Sequence, residues 1–147
     1  MYINILVPID GSALSDRAVK EAAGLAKQSG GKLTLFYVAP EYPAPTYSEG
    51  SSLGFIPREK FEKEMGVQAK KLLDGAARKI TETGVDAQSK YVSSSSPYDA
   101  IVKAAHKDKC DLIVMASHGR RGLASLLLGS ETTKVLTHSK VPVLVVR

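Results

Sequence analysis

Tryptophan is absent from this chain of 147 residues, cysteine occurs once, and aromatic residues make up 6% of it. One cysteine cannot close an internal disulfide, so no disulfide framework is expected and a reducing compartment fits. No apolar run approaches the ~20 residues of a membrane-spanning helix. Met1-Tyr2-Ile3-Asn4 is not a basic stretch leading into an apolar one, so no signal peptide is expected and the expected location is cytoplasmic. His106, His118 and His138 lack Cys/His ligand spacing, which argues against zinc. Gly-x4-Gly-Lys-(Ser/Thr), Gly-x-Gly-x-x-Gly and Gly-x-Ser-x-Gly are all missing. Without a lysine cradle or a water-positioning residue, fast ATP hydrolysis has nothing to carry it. Clustered charge is missing too. The net charge is +5, but the 20 Lys and Arg residues are dispersed with no run of five, so nucleic-acid binding is not expected.

What is present describes an ordinary globular chain, 44% hydrophobic and 24% charged, long enough for one domain with a sizeable core. Tyr2 to Ile9 reads as a strand ending at the turn Asp10-Gly11-Ser12. Ala13 to Ser29 has a helical stripe of Leu14, Ala18, Ala22, Leu25 and Ala26, stopped by Gly30-Gly31. Lys32 to Ala39 alternates Leu33, Leu35 and Tyr37 against Thr34, Phe36 and Val38, as a second strand does. Residues 41–57 hold three prolines and read as a long loop, a surface insertion or a cover for a site. Arg58 to Thr83 carries the stripe Phe61, Met65, Ala69, Leu72, Leu73, Ala76 and Ile80 and predicts a long helix closed by Gly84. Val85 to Val92 is weakly alternating and polar, which suits a sheet edge. Pro97 to about Lys109 is a helix with Pro97 at its first position and a capping-box pattern from Ser96 to Asp99. Cys110 follows as a small core residue. Val141 to Val146 is a last strand, with Pro142 marking a strand start or an edge. Strands alternating with helices predict an α/β domain with a parallel sheet and right-handed crossovers.

The stretch with chemistry in it is Leu112 to Glu131, LIVMASHGRRGLASLLLGSE. Leu112-Ile113-Val114-Met115 is short, apolar and β-branched, like a strand buried on both faces. Ser117-His118-Gly119-Arg120-Arg121-Gly122 is a small cationic loop, and a helix follows with Ser130 as its expected N-cap and Glu131 in its first turn. Backbone N–H groups beside a helix N-terminus make an anion site, most often for phosphate. On periodicity alone, a plain strand–loop–helix connection reads equally well.

The residues resemble the nucleotide-binding signature Gly-x2-Gly-x9-Gly-(Ser/Thr) of the universal stress protein family. Gly119, Gly129 and Ser130 match it in identity and spacing, and Ala116 stands at its first glycine. The resemblance covers essentially the whole chain. It implies a doubly wound five-stranded parallel sheet with helices on both faces and strand order 3-2-1-4-5, the adenine nucleotide alpha hydrolase-like arrangement. Asp10 and the glycine loop would then meet at the switch point. It also implies ATP as ligand, with AMP or ADP as the other adenine nucleotides. Pro8, Ile9 and Asp10 would lie beside it, Val38 would meet adenine through its backbone, and Met115 and Ala116 would line the same slot. Gly119, Gly129, Ser130 and Glu131 would hold phosphate at the helix start, with His118 and Arg120 beside them. Asp10 could hold Mg²⁺ through phosphate oxygens. The resemblance further implies a homodimer paired through Val143, Leu144, Val145 and Val146. Two other functions stay open: a nucleotide-free dimeric interaction module and a slow ATPase.

Overall fold

The computed structural model describes residues 1–44, 56–120 and 128–147. Most of the expected loop at 41–57, and Arg121, Gly122, Leu126 and Leu127 of the second loop, lie outside the described residues. The elements among these residues are β1 (Asn4–Ile9), α1 (Ala13–Ser29), β2 (Lys32–Ala39), α2 (Arg58–Arg78), β3 (Asp86–Ser93), α3 (Pro97–Lys107), β4 (Leu112–Ala116), α4 (Ser130–His138) and β5 (Val143–Val146), with a 3-10 turn at Thr81–Thr83. The sheet has five parallel strands in the order β3-β2-β1-β4-β5, as the resemblance implied.

The alternation along β2 explains the layering. Leu33, Leu35 and Tyr37 join one buried cluster, with Ala18, Val19, Ala22 and Ala26 of α1 and Ala69, Leu73 and Ala76 of α2. Phe36 faces the other way, into a cluster with Ile101 and Ala105 of α3 and Val135 of α4. A helix layer therefore covers each face of the sheet, which is why its central strands are apolar on both sides. On α1 the buried face is mostly alanine, with Ser15 and Val19. Leu14 and Leu25 of the expected stripe are only half-buried, at its margins. β3, at one edge, is mostly exposed, as its polar sequence predicted. Cys110 is buried in the α3–α4 cluster, the small core residue expected of it.

The element ends depart from the sequence reading for local reasons. β1 begins at Asn4 rather than Tyr2. Ile3 and Asn4 give their N–H groups to the Asp111 carboxylate, 2.9 and 3.0 Å away, and this ties the strand start to the start of β4. Helix α2 stops at Arg78 instead of Thr83 because the chain tightens into 3-10 geometry, Lys79 N–H reaching Ala76 and Ala77 carbonyls. Gly84 does close this segment, at φ 71°, as Gly30 closes α1 at φ 65°. Helix α3 ends two residues early because Lys109 takes a left-handed backbone at φ 54°. β5 starts at Val143. Pro142 has no N–H to give, although its carbonyl accepts Ile113 N–H at 2.9 Å.

Candidate nucleotide site at the switch point

Strand β1 is where the chain order reverses, with β2 on one side and β4 on the other. Its pairing with β2 runs from Asn4↔Lys32 to Ile9↔Tyr37. Its pairing with β4 covers only Ile5↔Leu112 and Leu6↔Ile113. Beyond Leu6 the two strands no longer bond, and a cavity of about 590 Å³ opens at their carboxyl ends. A crevice at that position is what a reversal of strand order produces. Its size suits a small organic ligand.

All twelve residues singled out from the sequence line this one cavity. Pro8, Ile9 and Asp10 come from the end of β1, and Val38 from the end of β2. Met115 and Ala116 come from the end of β4. His118, Gly119 and Arg120 follow β4, while Gly129, Ser130 and Glu131 open α4. The sequence reading missed Phe36 and Tyr37 on β2, Ser15 on α1, Thr132 on α4, and Pro97 and Ile101 on α3. Phe36 and Tyr37 could have been found by their place just before Val38 at a strand end. The two α3 residues carry no local signal, because only the crossover brings that helix over the slot.

Asp10 joins the two halves of the site. Its Oδ1 accepts Ser12 N–H at 2.9 Å, and its Oδ2 accepts Arg120 N–H at 3.1 Å, 110 residues away. The Asp10 N–H in turn donates to Ser15 Oγ at 3.2 Å. This carboxylate therefore clasps the loop after β4 to the end of β1. Gly119 is required beside it, since a Cβ there would lie 2.6 Å from Asp10 Oδ2. Helix capping at this turn falls to Ser12, whose Oγ accepts Ser15 N–H at 3.1 Å.

Gly129 is held as closely. Its N–H donates to Ser117 O at 2.6 Å, and a Cβ would come within 3.1 Å of His118 Cα. Its φ is −71°, so a close approach rather than an unusual backbone calls for glycine here. Gly129, not Ser130, is the N-cap of α4; Ser130 is the first helical residue, a correction of one position. Among the described residues no side chain caps α4, whose first turn stands at the cavity wall. Ala116 is also accommodated. It ends β4 opposite Val146, and among the described non-glycine residues only Lys109 has positive φ, so its methyl strains nothing.

The predicted capping box of α3 does not form. Ser96 makes no side-chain cap bond, and Asp99 pairs with Lys103 at 2.6 Å. Instead Glu131 Oε2 accepts Tyr98 N–H at 2.8 Å, so a carboxylate from the first turn of α4 caps the neighbouring helix. No group of three or more possible metal ligands exists among the described residues.

The chain as a whole can now be compared with known proteins. The Universal stress protein family model matches residues 1–147. This chain belongs to that family. Universal stress protein YxiE of Bacillus subtilis is 33% identical over 150 residues, covering all of both chains. Universal stress protein MJ0577 of Methanocaldococcus jannaschii is 30% identical over 156 residues, all of this chain and 96% of that one. The solved structure of MJ0577 superposes with a TM-score of 0.81, covering 99% of this chain and 96% of that chain. A universal stress protein in complex with cAMP superposes with a TM-score of 0.72 at 27% identity, covering 99% and 97% of the two chains.

Proposed function

We propose that this universal stress protein binds an adenine nucleotide, ATP in the first instance, at the switch point and acts in stress response through its conformation or its partners. The observation that carries the reading is the form of the cavity. Part of its lining is apolar, Phe36, Ile101 and Met115 of one buried cluster with Val38 packed against them, fit for a flat base. Another part is the N-terminus of α4, which no side chain among the described residues caps, with Gly119, His118 and Arg120 also on the wall, fit for phosphate. The cAMP complex of a relative at 27% identity supports adenine as the base. Asp10 is the residue to hold Mg²⁺. Each of its oxygens accepts one N–H and keeps a free lone pair, and one carboxylate plus phosphate oxygens matches the habits of that ion. The fitted ligand would be held and oriented.

The protein is further proposed to be one domain, a cytoplasmic homodimer. Among the described residues β5 is bonded on one side only, to β4, and Leu144 on it and Leu136 on α4 are each 40% exposed. Pairing β5 with its copy about a two-fold axis would close that edge.

Calorimetric titration with ATP, ADP, AMP and GTP, each with and without Mg²⁺, tests the nucleotide reading. One adenine nucleotide bound per chain, with GTP failing to compete, supports it. No heat and no retention of any adenine nucleotide at millimolar concentration contradicts it and leaves the nucleotide-free interaction module.

A further inference from the structure

The Ser117 carbonyl holds Gly129, but its side chain has had no part in the site so far. Ser117 is 2% exposed. Its N–H donates to Val146 O at 2.8 Å and its carbonyl accepts Gly129 N–H at 2.6 Å, so the end of β5 and the cap of α4 fix its backbone. Its Oγ lies 3.1 Å from His118 Nδ1 and has no other hydrogen-bond partner among the described residues. A buried hydroxyl must place its proton on an acceptor. The acceptor in reach is the Nδ1 lone pair.

We propose that the Ser117 hydroxyl fixes the tautomer of His118, so that the neutral ring carries its proton on Nε2 and offers the cavity a hydrogen-bond donor. This rests on the nucleotide reading for the identity of the recipient, a phosphate oxygen of the ligand. The opposite tautomer would leave the Ser117 proton without a partner and turn a lone pair toward an anion, so both ends of the arrangement favour the same form. His118 is then the residue that touches phosphate, and Ser117 is a positioning residue that acts through it. The chain contains its own reference. His138 Nδ1 lies 2.8 Å from the Lys134 carbonyl, which can only accept, so that ring must carry its proton on Nδ1.

The test is a two-bond proton–nitrogen correlation spectrum of the free, labelled, full-length protein, at a pH where the imidazoles are neutral. The expected result is opposite tautomers, Nε2–H at His118 and Nδ1–H at His138. In Ser117→Ala the His118 signals should move toward a mixture of tautomers, and Ser117→Thr, which keeps the hydroxyl, should restore the pattern. Binding gives a second readout. Ser117→Ala and His118→Ala should weaken ATP and AMP by roughly ten- to a hundredfold, the worth of one hydrogen bond to a charged group, and leave adenosine unchanged. An Nδ1–H form at His118 in the wild type, or a tautomer indifferent to Ser117→Ala, overturns the proposal. So does an equal loss of adenosine binding. A wild-type protein that binds no nucleotide but shows Nε2–H at His118 contradicts the nucleotide reading and supports the tautomer assignment.

Discussion

Among single residues, two glycines of the site stand where a Cβ would press on its neighbours. A Cβ at residue 119 would press into Asp10 Oδ2, the acceptor for Arg120 N–H. Gly119→Ala is therefore expected to break that clasp and weaken ATP by about tenfold or more, while costing stability on the order of 1 kcal/mol, since the group is solvent-exposed. Titration calorimetry and urea unfolding of one variant check both numbers, and unchanged affinity would contradict the clasp. The glycine signature itself was legible as spacing, but not its physical basis. The structure adds that a Cβ at either Gly119 or Gly129 would meet its neighbours closely. It shows as well why Ala116 is tolerated, since that position is ordinary strand. Cys110 makes a separate prediction. Burial, with lesser help from Asp108 and Asp111, pushes its thiol from 9.0 up to about 11. The thiol should resist aromatic disulfide reagents at pH 8 in the native protein and react once unfolded. The folded state also keeps this proton to a higher pH than the unfolded chain. The stabilising contribution is thus whole below pH 9 and lost as pH rises toward 11. Urea midpoints measured from pH 8 to 11 should fall less steeply in Cys110→Ala than in the wild type.

At the scale of elements, strand and helix identity was written in the chain and their ends were not. The period of two in Leu33, Leu35 and Tyr37 against Thr34, Phe36 and Val38 predicted a strand, and the structure packs the first set into one cluster and Phe36 and Val38 into the other. Helix starts were read from local patterns, and local patterns failed where a distant side chain took over. Ser96 and Asp99 look like a capping box, but Tyr98 N–H finds Glu131, 33 residues further along. No single-segment reading could have supplied that partner. The bond gives Glu131 a structural role alongside its place on the cavity wall. Glu131→Ala should destabilise the fold by about 1 kcal/mol, as loss of a helix cap does, with the amide of Tyr98 losing protection in hydrogen exchange. Retention of full protection would remove Glu131 from that role. The β5 edge carries the prediction on assembly. Leu144→Lys should shift the mass in sedimentation equilibrium from dimer to monomer without lowering the unfolding midpoint of the monomer. A wild-type protein that sediments as a monomer would contradict the paired edge.

At the scale of the whole molecule, the account rests on one consequence of topology. Strand order β3-β2-β1-β4-β5 reverses at β1, the bonding between β1 and β4 gives out after Leu6, and the cavity opens there. Alternation of strands and helices announced the parallel sheet, while its order was legible only through resemblance to a family, because periodicity says which face a strand buries and not which neighbour it takes. The same holds for the site. Asp10 and Arg120 meet across 110 residues of sequence, and α3 brings Ile101 and Pro97 to a wall that no motif marked. Thermal unfolding with and without ATP–Mg²⁺ tests the proposal that this cavity holds an adenine nucleotide. At a concentration a hundred times its Kd, a ligand bound only to the folded state adds about 2.7 kcal/mol, several degrees for a domain of this size. The account predicts such a rise with ATP, none with GTP, and none in Gly129→Glu, whose side chain would be driven into His118 and Ser117. An unfolding temperature indifferent to millimolar ATP, in a protein that carries no nucleotide through purification, would contradict it.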